Sequence, residues 1–249
     1  MAFAIFSDIH GNLEALDAIL KHVAKNRKIK QKYFLGDAIT FGPDSSACLK
    51  LLKKHKVKCV VGNHEQRVVR YDNAVKTMTY ATPEHIRYVF STLDNDDLRF
   101  IKSMPVEIKI NYKGFNILFA HYSHNENGVV RDDYDELTET RLVKLFGEKN
   151  CDVVFFGHVH QRKLIVNESG RSYVCVGASG CVKGDKTFYT YFDVRSDMGE
   201  DFNFDIYRVN IKYNRKKFEQ RMHDEPLPDK ENYAKYTFGI QFKEEEDNT

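Results

Sequence analysis

The sequence predicts an α/β protein built on a mainly parallel sheet, and three observations carry that expectation. Short apolar runs alternate with stretches whose apolar residues recur at helical spacing. Each of the first strand-like runs ends in a small polar cluster. The 249 residues, 42% of them hydrophobic, suffice for one domain with a substantial core. In such sheets ligands gather outside the carboxyl ends of the strands, which is where the clusters fall.

Ala2 to Phe6 is an apolar run ending in Ser7-Asp8, and Leu13, Leu16, Ile19, Leu20 and Val23 follow as one face of a helix. Tyr33-Phe34-Leu35 ends in Gly36-Asp37; Cys48, Leu51, Leu52 and His55 mark a second helix, and Val57 to Val61 delivers Gly62-Asn63-His64. Residues 65–104 turn helical, with Thr82-Pro83 as a cap followed by proline at the first helical position, and read as an insert or connection. Val106 to Ile110 and Phe115 to Phe119 flank Asn111 to Gly114, a hairpin signal, and the second strand leads into Ala120-His121. A helix across Asp135 to Phe146 precedes Val153 to Phe156 and Gly157-His158-Val159-His160. Strands are expected at Lys163 to Val166, Tyr173 to Val176, Phe188 to Val194 and Phe204 to Ile211. Residues 213–249 read as a polar segment with one helix from Asn214 to Met222, a Pro226-Leu227-Pro228 break and a disordered tail. No repeat or Ser/Gly-rich linker marks a boundary, so a single domain over 1–249 is expected.

Lysine plus arginine (38) nearly balances aspartate plus glutamate (36), which argues against a dedicated nucleic-acid binder. The lysines from Lys21 to Lys32 fit the solvated face of a helix and its loop. No apolar run approaches the ~20 residues that cross a bilayer, and Met1 to Phe6 lacks the basic start of a secretion signal. Five cysteines without a C-x-x-C pair suit a reducing compartment, so a soluble, cytoplasmic protein is expected, with the thiols as small buried hydrophobes.

The polar clusters carry the chemistry. Asp8-Ile9-His10-Gly11-Asn12, Gly36-Asp37, Gly62-Asn63-His64-Glu65, His121 and Gly157-His158-Val159-His160 occur in that order. Asp8 and His10, like His158 and His160, stand two apart, a spacing that points both side chains one way in extended chain. Glycine before Asp37, Asn63 and His158 leaves room for close approach. Imidazoles, carboxylates and one amide oxygen suit Mn, Fe, Zn or Ni, not a thiolate site. The donors Asp8, His10, Asp37, Asn63, His121, His158 and His160 exceed what one tetrahedral metal needs and suffice for two transition-metal ions. Two ions about 3.5–4 Å apart lower the pKa of a bridging water and stabilise charge on phosphoryl oxygens.

These blocks resemble the signature of the calcineurin-like metallophosphoesterases, D-x-H, G-D, G-N-H-[DE], H and G-H-x-H, over residues 8–160. The resemblance implies a four-layer α-β-β-α sandwich with two mixed sheets. It implies that Asp8, His10 and His160 hold one metal, that Asn63, His121 and His158 hold the other, and that Asp37 bridges both. It places His64 off the metals, as a general acid toward the leaving group. Asp8 to Asn12 followed by Leu13 to Leu16, with Phe41-Gly42-Pro43 after Asp37, is similar to the small bacterial and archaeal diadenosine-tetraphosphatase-like group. Tyr122-Ser123-His124 after His121, and Val176 to Gly180 in place of an N-P-G-S stretch, depart from that group's pattern.

Asn12 reads equally as the cap of the helix at Leu13 and as a contact to substrate phosphate. His124 reads as a substrate contact or as exposed loop polarity, and His22, His55, His85 and His223 as ordinary residues. The expected activity is hydrolysis of a small phosphodiester or nucleotide-like substrate by metal-bound hydroxide. The competing readings are a dinucleoside polyphosphate hydrolase and an inactive protein-binding scaffold like the retromer subunit. Metal identity, oligomeric state and physiological substrate stay open at this level.

Overall fold

The computed structural model describes residues 2–70, 81–134, 136–195 and 204–242. Strand β1 (Ala2–Phe6) leads through Asn12 into helix α1 (Leu13–Lys25), then β2 (Ile29–Phe34), α2 (Ser45–Lys54), β3 (Lys58–Cys59) and α3 (Asn63–Val69). Helices α4 (Pro83–Thr92) and α5 (Asn95–Ser103) precede the hairpin β4 (Glu107–Tyr112) and β5 (Phe115–Ala120). Then come α6 (Glu139–Phe146), β6 (Val153–Phe156), β7 (Arg162–Val166), β8 (Ser172–Val176), β9 (Lys186–Val194), β10 (Phe204–Lys212) and α7 (Arg215–Asp224).

The strands form two sheets of five, ordered β10-β9-β1-β2-β3 and β4-β5-β6-β8-β7. Neither is mainly parallel, contrary to the expectation from alternation. Parallel pairs lie at β1–β2, β2–β3, β5–β6 and β6–β8, while β1–β9, β9–β10, β4–β5 and β7–β8 are antiparallel. Three of the antiparallel pairs join sequence neighbours, and β9 returns beside β1 to make the fourth, which a βαβ reading misses.

Alternation along β1 shows how the layers arise. Ala2, Ala4 and Phe6 pack with Leu16, Ile19 and Leu20 of α1 and Cys48, Leu49 and Leu52 of α2. Phe3 and Ile5 face the other way and join Tyr33, Ile117, Phe119, Phe155 and Val174 between the sheets. Tyr33 of one sheet stacks on Phe119 of the other, with ring centroids 3.9 Å apart and planes 4° from parallel. Beyond the second sheet, Leu118, Val154 and Phe156 pack with Leu142 and Phe146 of α6. Helices therefore cover both outer faces, giving the four layers.

Three sequence expectations shift. The strand expected at Val57 to Val61 keeps only Lys58–Cys59, because Val61 N–H donates to Pro105 O and leaves the sheet. The helix expected from Asp135 starts at Glu139, where the Thr138 side chain caps Arg141 N–H. Residues 213–242 are more than a polar segment: Phe218, Met222, Leu227, Tyr233, Phe238 and Ile240 are buried with α1 and α2 residues. Part of the expected helical insert, 71–80, and the expected disordered tail, 243–249, lie outside the described residues. Among the described residues no helix is long and apolar enough to cross a membrane.

Candidate metal centre

Every one of the polar clusters sits past the carboxyl end of a strand on the same rim. Asp8 and His10 follow β1, Asp37 follows β2, Asn63 and His64 open α3 just after β3, His121 follows β5, and His158 and His160 follow β6. Asp8, His10, Asp37, His158 and His160 all take positive φ, between 47° and 68°. The i, i+2 pairs therefore converge through left-handed turns, not through extended chain as the spacing suggested. Side-chain-bearing residues adopt that conformation at a cost and concentrate where function demands it.

Asp37 is the hub. Its Oδ2 lies 3.2 Å from His121 Nε2, 3.8 Å from His10 Nε2 and 3.9 Å from His64 Nε2. Its Oδ1 accepts the backbone N–H of His64 at 3.0 Å. On one side of the hub, His10 Nε2 approaches His160 Nε2 at 3.2 Å, and Asp8 Oδ1 lies 3.4 Å from His160 Nε2 and 4.0 Å from His10 Nε2. On the other, Asn63 Oδ1 lies 2.9 Å from His121 Nε2 and 3.1 Å from His158 Nδ1. All of these side chains are buried except His160, whose side chain is 32% exposed and opens the site to solvent.

The far sides of the rings are held by the fold. His10 Nδ1–H faces Ile39 O at 3.1 Å, His121 Nδ1–H faces Leu35 O at 2.6 Å, and His158 Nε2–H faces Asp133 O at 3.3 Å. The carbonyl fixes which ring nitrogen turns into the cluster, and in neutral His10 and His158 that nitrogen carries a lone pair. Asn63 Nδ2 donates to Asp132 Oδ1 at 3.1 Å, so its oxygen is the end that faces the histidines.

The centre fits a pair of cations. Asp8 Oδ1 and Asp37 Oδ2 are buried and accept no hydrogen bond among the described residues, although a buried carboxylate oxygen normally has a partner. A Cβ on Gly62 would stand 2.1 Å from Asp37 Oδ1, and one on Gly157 would stand 2.5 Å from Asp8 Oδ2. Glycine is needed at both places for the carboxylates to reach the rim.

The electrostatics match. Burial pushes His10 down to about 4 and His158 down to about 3, so both are neutral donors near pH 7. Burial also opposes charge on His121, but Asp37, with Asp8 and Glu65 further off, outweighs it and takes this ring up to about 9. Burial would raise Asp37, yet the His121, His64 and His10 rings around it hold its carboxyl well below the usual carboxylate range.

His64 stands apart from the two groups of donors. Its Nδ1 pairs with Thr40 Oγ1 at 2.6 Å, which turns Nε2 toward Asp37. Thr40 went unnoticed in the sequence, as did the use of Glu65, whose carboxylate accepts the backbone N–H of Asp37, Ala38 and Gly62 at 2.6–2.9 Å. Only Glu65's place in the G-N-H-E block marked it.

The two further candidates have other employment. Asn12 Oδ1 accepts Ala15 N–H at 3.0 Å as the α1 cap, and its Nδ2 donates to Gly180 O at 2.9 Å. His124 Nε2 pairs with Glu107 Oε2 at 3.1 Å, and its Nδ1 faces Asn125 O at 2.9 Å. His85, read as ordinary, is a hydrogen-bonded core residue. It is buried, accepts Phe41 N–H at 2.9 Å through Nε2, and bonds Pro228 O at 3.2 Å through Nδ1.

The fold and the rim of carboxylates and imidazoles define a metallophosphoesterase architecture. Residues 1–162 match the calcineurin-like phosphoesterase family, and the chain belongs to it. An uncharacterized protein of Methanocaldococcus jannaschii is 28% identical over 242 residues, covering 91% of this chain and 93% of the relative. A symmetrical bis(5'-nucleosyl)-tetraphosphatase of Actinobacillus pleuropneumoniae is 28% identical over 130 residues, 51% of this chain and 47% of that protein. Among solved structures, a hypothetical protein of Pyrococcus horikoshii superposes with a TM-score of 0.74 at 17% identity, covering 97% of this chain and 99% of the other.

Proposed function

We propose that this chain is a binuclear metal-dependent phosphoesterase, acting as a phosphodiesterase on a small phosphodiester or nucleotide-like substrate. Asp8, His10 and His160 would hold one ion, Asn63, His121 and His158 the other, and Asp37 both. The observation that carries the reading is Asp37 Oδ2, buried with no hydrogen bond among the described residues and within 3.9 Å of imidazole nitrogens from three separate segments. When bound, the metal pair supplies an activated water and neutralises charge on the phosphoryl oxygens.

The chain's own residues do the rest. Asp37 and Asp8 bring negative charge that would hold the ions; the carbonyl-anchored His10 and His158 rings present neutral nitrogens, and His121, which Asp37 keeps protonated in the free protein, would release its Nε2 proton as an ion binds. His64, steadied by Thr40, is placed to give a proton to the leaving oxygen. Burial keeps this imidazole neutral in the free protein, and the negative charge of a bound phosphate favours its protonation. The unpaired cysteines Cys48, Cys59, Cys151, Cys175 and Cys181 fit a reducing compartment, so we place the enzyme in the cytoplasm.

Manganese-supplemented protein is expected to cleave bis-p-nitrophenyl phosphate, and Asp37→Ala to abolish turnover; activity that survives the substitution rejects the site. The partial likeness to the tetraphosphatase favours a second reading, hydrolysis of dinucleoside polyphosphates. Comparing diadenosine tetraphosphate with aryl diesters and monoesters separates the two. A donor set with no member missing argues against an inert scaffold, a reading that would return if the protein took up no metal and hydrolysed nothing.

A further inference from the structure

Cys181 joins His10 and His160 in a group whose sulfur and nitrogen atoms all lie within 4.8 Å of one another. A sulfur and an imidazole nitrogen bound to the same tetrahedral zinc stand about 3.6 Å apart. The donors therefore need to close by no more than about 1.2 Å. This is not a cysteine that happens to lie nearby. Its loop is pinned to the D-x-H turn by Ser179 N–H on Ser7 O at 2.9 Å and Gly180 N–H on Asp8 O at 3.0 Å. Asn12 Nδ2 adds a third bond, to Gly180 O at 2.9 Å. A Cβ at residue 180 would stand 1.9 Å from Ile9 O, so only glycine lets this loop lie so close. A separate observation points to a ligand at the same place: Asp8 Oδ1, fully buried, makes no hydrogen bond among the described residues and lies 3.4 Å from His160 Nε2.

We propose that Cys181 supplies a thiolate to the ion held by Asp8, His10 and His160, giving that position carboxylate, two imidazoles and sulfur. The inference rests on the metal-pair reading of the site. On binding, the S–H bond breaks, the metal–sulfur bond forms and the proton leaves to solvent, with no change of oxidation state. One position of the pair then differs chemically from the other: sulfur adds affinity for zinc or ferrous iron there. Nothing in the sequence sets Cys181 apart from the other four cysteines. Cys48, Cys59, Cys151 and Cys175, all buried and in none of the candidate ligand groups, fit the reading as small hydrophobes.

Cobalt(II) titration of the metal-free full-length chain tests this. Wild-type protein is expected to develop a near-ultraviolet sulfur-to-cobalt charge-transfer band together with visible d–d bands. Cys181→Ala is expected to lose the whole of the charge-transfer band and keep d–d bands that report bound cobalt. Should the alanine variant take up no cobalt, Cys181→Ser, nearly isosteric, is read in its place. An equal charge-transfer band in wild type and variant, or d–d bands without it in wild type, overturns the thiolate while leaving the metal pair standing. Wild-type protein that binds no cobalt overturns both.

Discussion

Replacing Glu65 by glutamine probes how the hub is held in place. The Glu65 carboxylate is fully buried and receives Asp37 N–H and Gly62 N–H on Oε2 at 2.8 and 2.9 Å, and Ala38 N–H on Oε1 at 2.6 Å. Glutamine with its carbonyl at the Oε2 position keeps two of these bonds but sets its own NH2 against Ala38 N–H. A buried donor left without a partner costs about 1–3 kcal/mol, and the two remaining bonds lose their charge assistance, about 1 kcal/mol together. Burial, followed by Asp37, raises Glu65 to about 7, so near neutral pH part of the charge assistance is already missing in wild type. The expected loss is therefore about 2–3 kcal/mol, toward the lower part of the sum. Urea unfolding of metal-free protein at pH 7 should show it as a lower midpoint with unchanged slope. Because the lost bond anchors the segment carrying Asp37, manganese affinity should also fall by about 10–100-fold, as for other outer partners of metal ligands. A variant within about 0.5 kcal/mol of wild type that also keeps its manganese affinity would refute the idea that Glu65 fixes the hub.

Other perturbations test neighbouring parts of the account. Gly62→Ala puts a methyl 2.1 Å from Asp37 Oδ1; since a misplacement of about 1 Å can cost about 100-fold, kcat/KM for an aryl diester should fall by at least that much, and near-wild-type turnover would contradict it. Phe119→Ala empties a ring that is fully buried and stacked against Tyr33 between the sheets, and calorimetry or denaturant melts should show a loss of about 3–5 kcal/mol. Burial pulls His85 from 6.5 down to about 4. Its folded pKa is the lower one, so the unfolded chain gains the proton first. The associated stability is whole above pH 6.5 and is lost as pH falls toward 4, about 3 kcal/mol in all. His85→Gln should flatten that part of the stability–pH curve, and an unchanged curve would count against a buried neutral ring.

The candidate ligands were legible in the sequence because each combines a distinctive residue type with the end of an apolar run. Asp8, Asp37, His121 and His158 all follow strands that hydrophobic runs announce. What stayed hidden depends on contacts between segments. Thr40 meets His64 across 24 residues, Asp132 meets Asn63 across 69, and Cys181 reaches His10 through a loop bonded to Ser7 and Asp8. No local pattern encodes these pairs. Backbone shape was hidden as well, since nothing in Asp8-Ile9-His10 distinguishes extended chain from the left-handed turns the chain adopts there. Nor did composition reveal that the segment after β10 is buried: charged residues dominate it, while Phe218, Met222, Leu227, Tyr233, Phe238 and Ile240 fill the space against the first sheet's helices.

Electron paramagnetic resonance of manganese-loaded protein, with the metal counted in the same sample, tests most directly whether Asp37 stands between two ions. Two manganese ions per chain are expected, with the spectrum of an exchange-coupled pair, and Asp37→Ala should abolish the coupling. A single ion per chain at saturation, or two ions with the spectrum of isolated manganese, would contradict it.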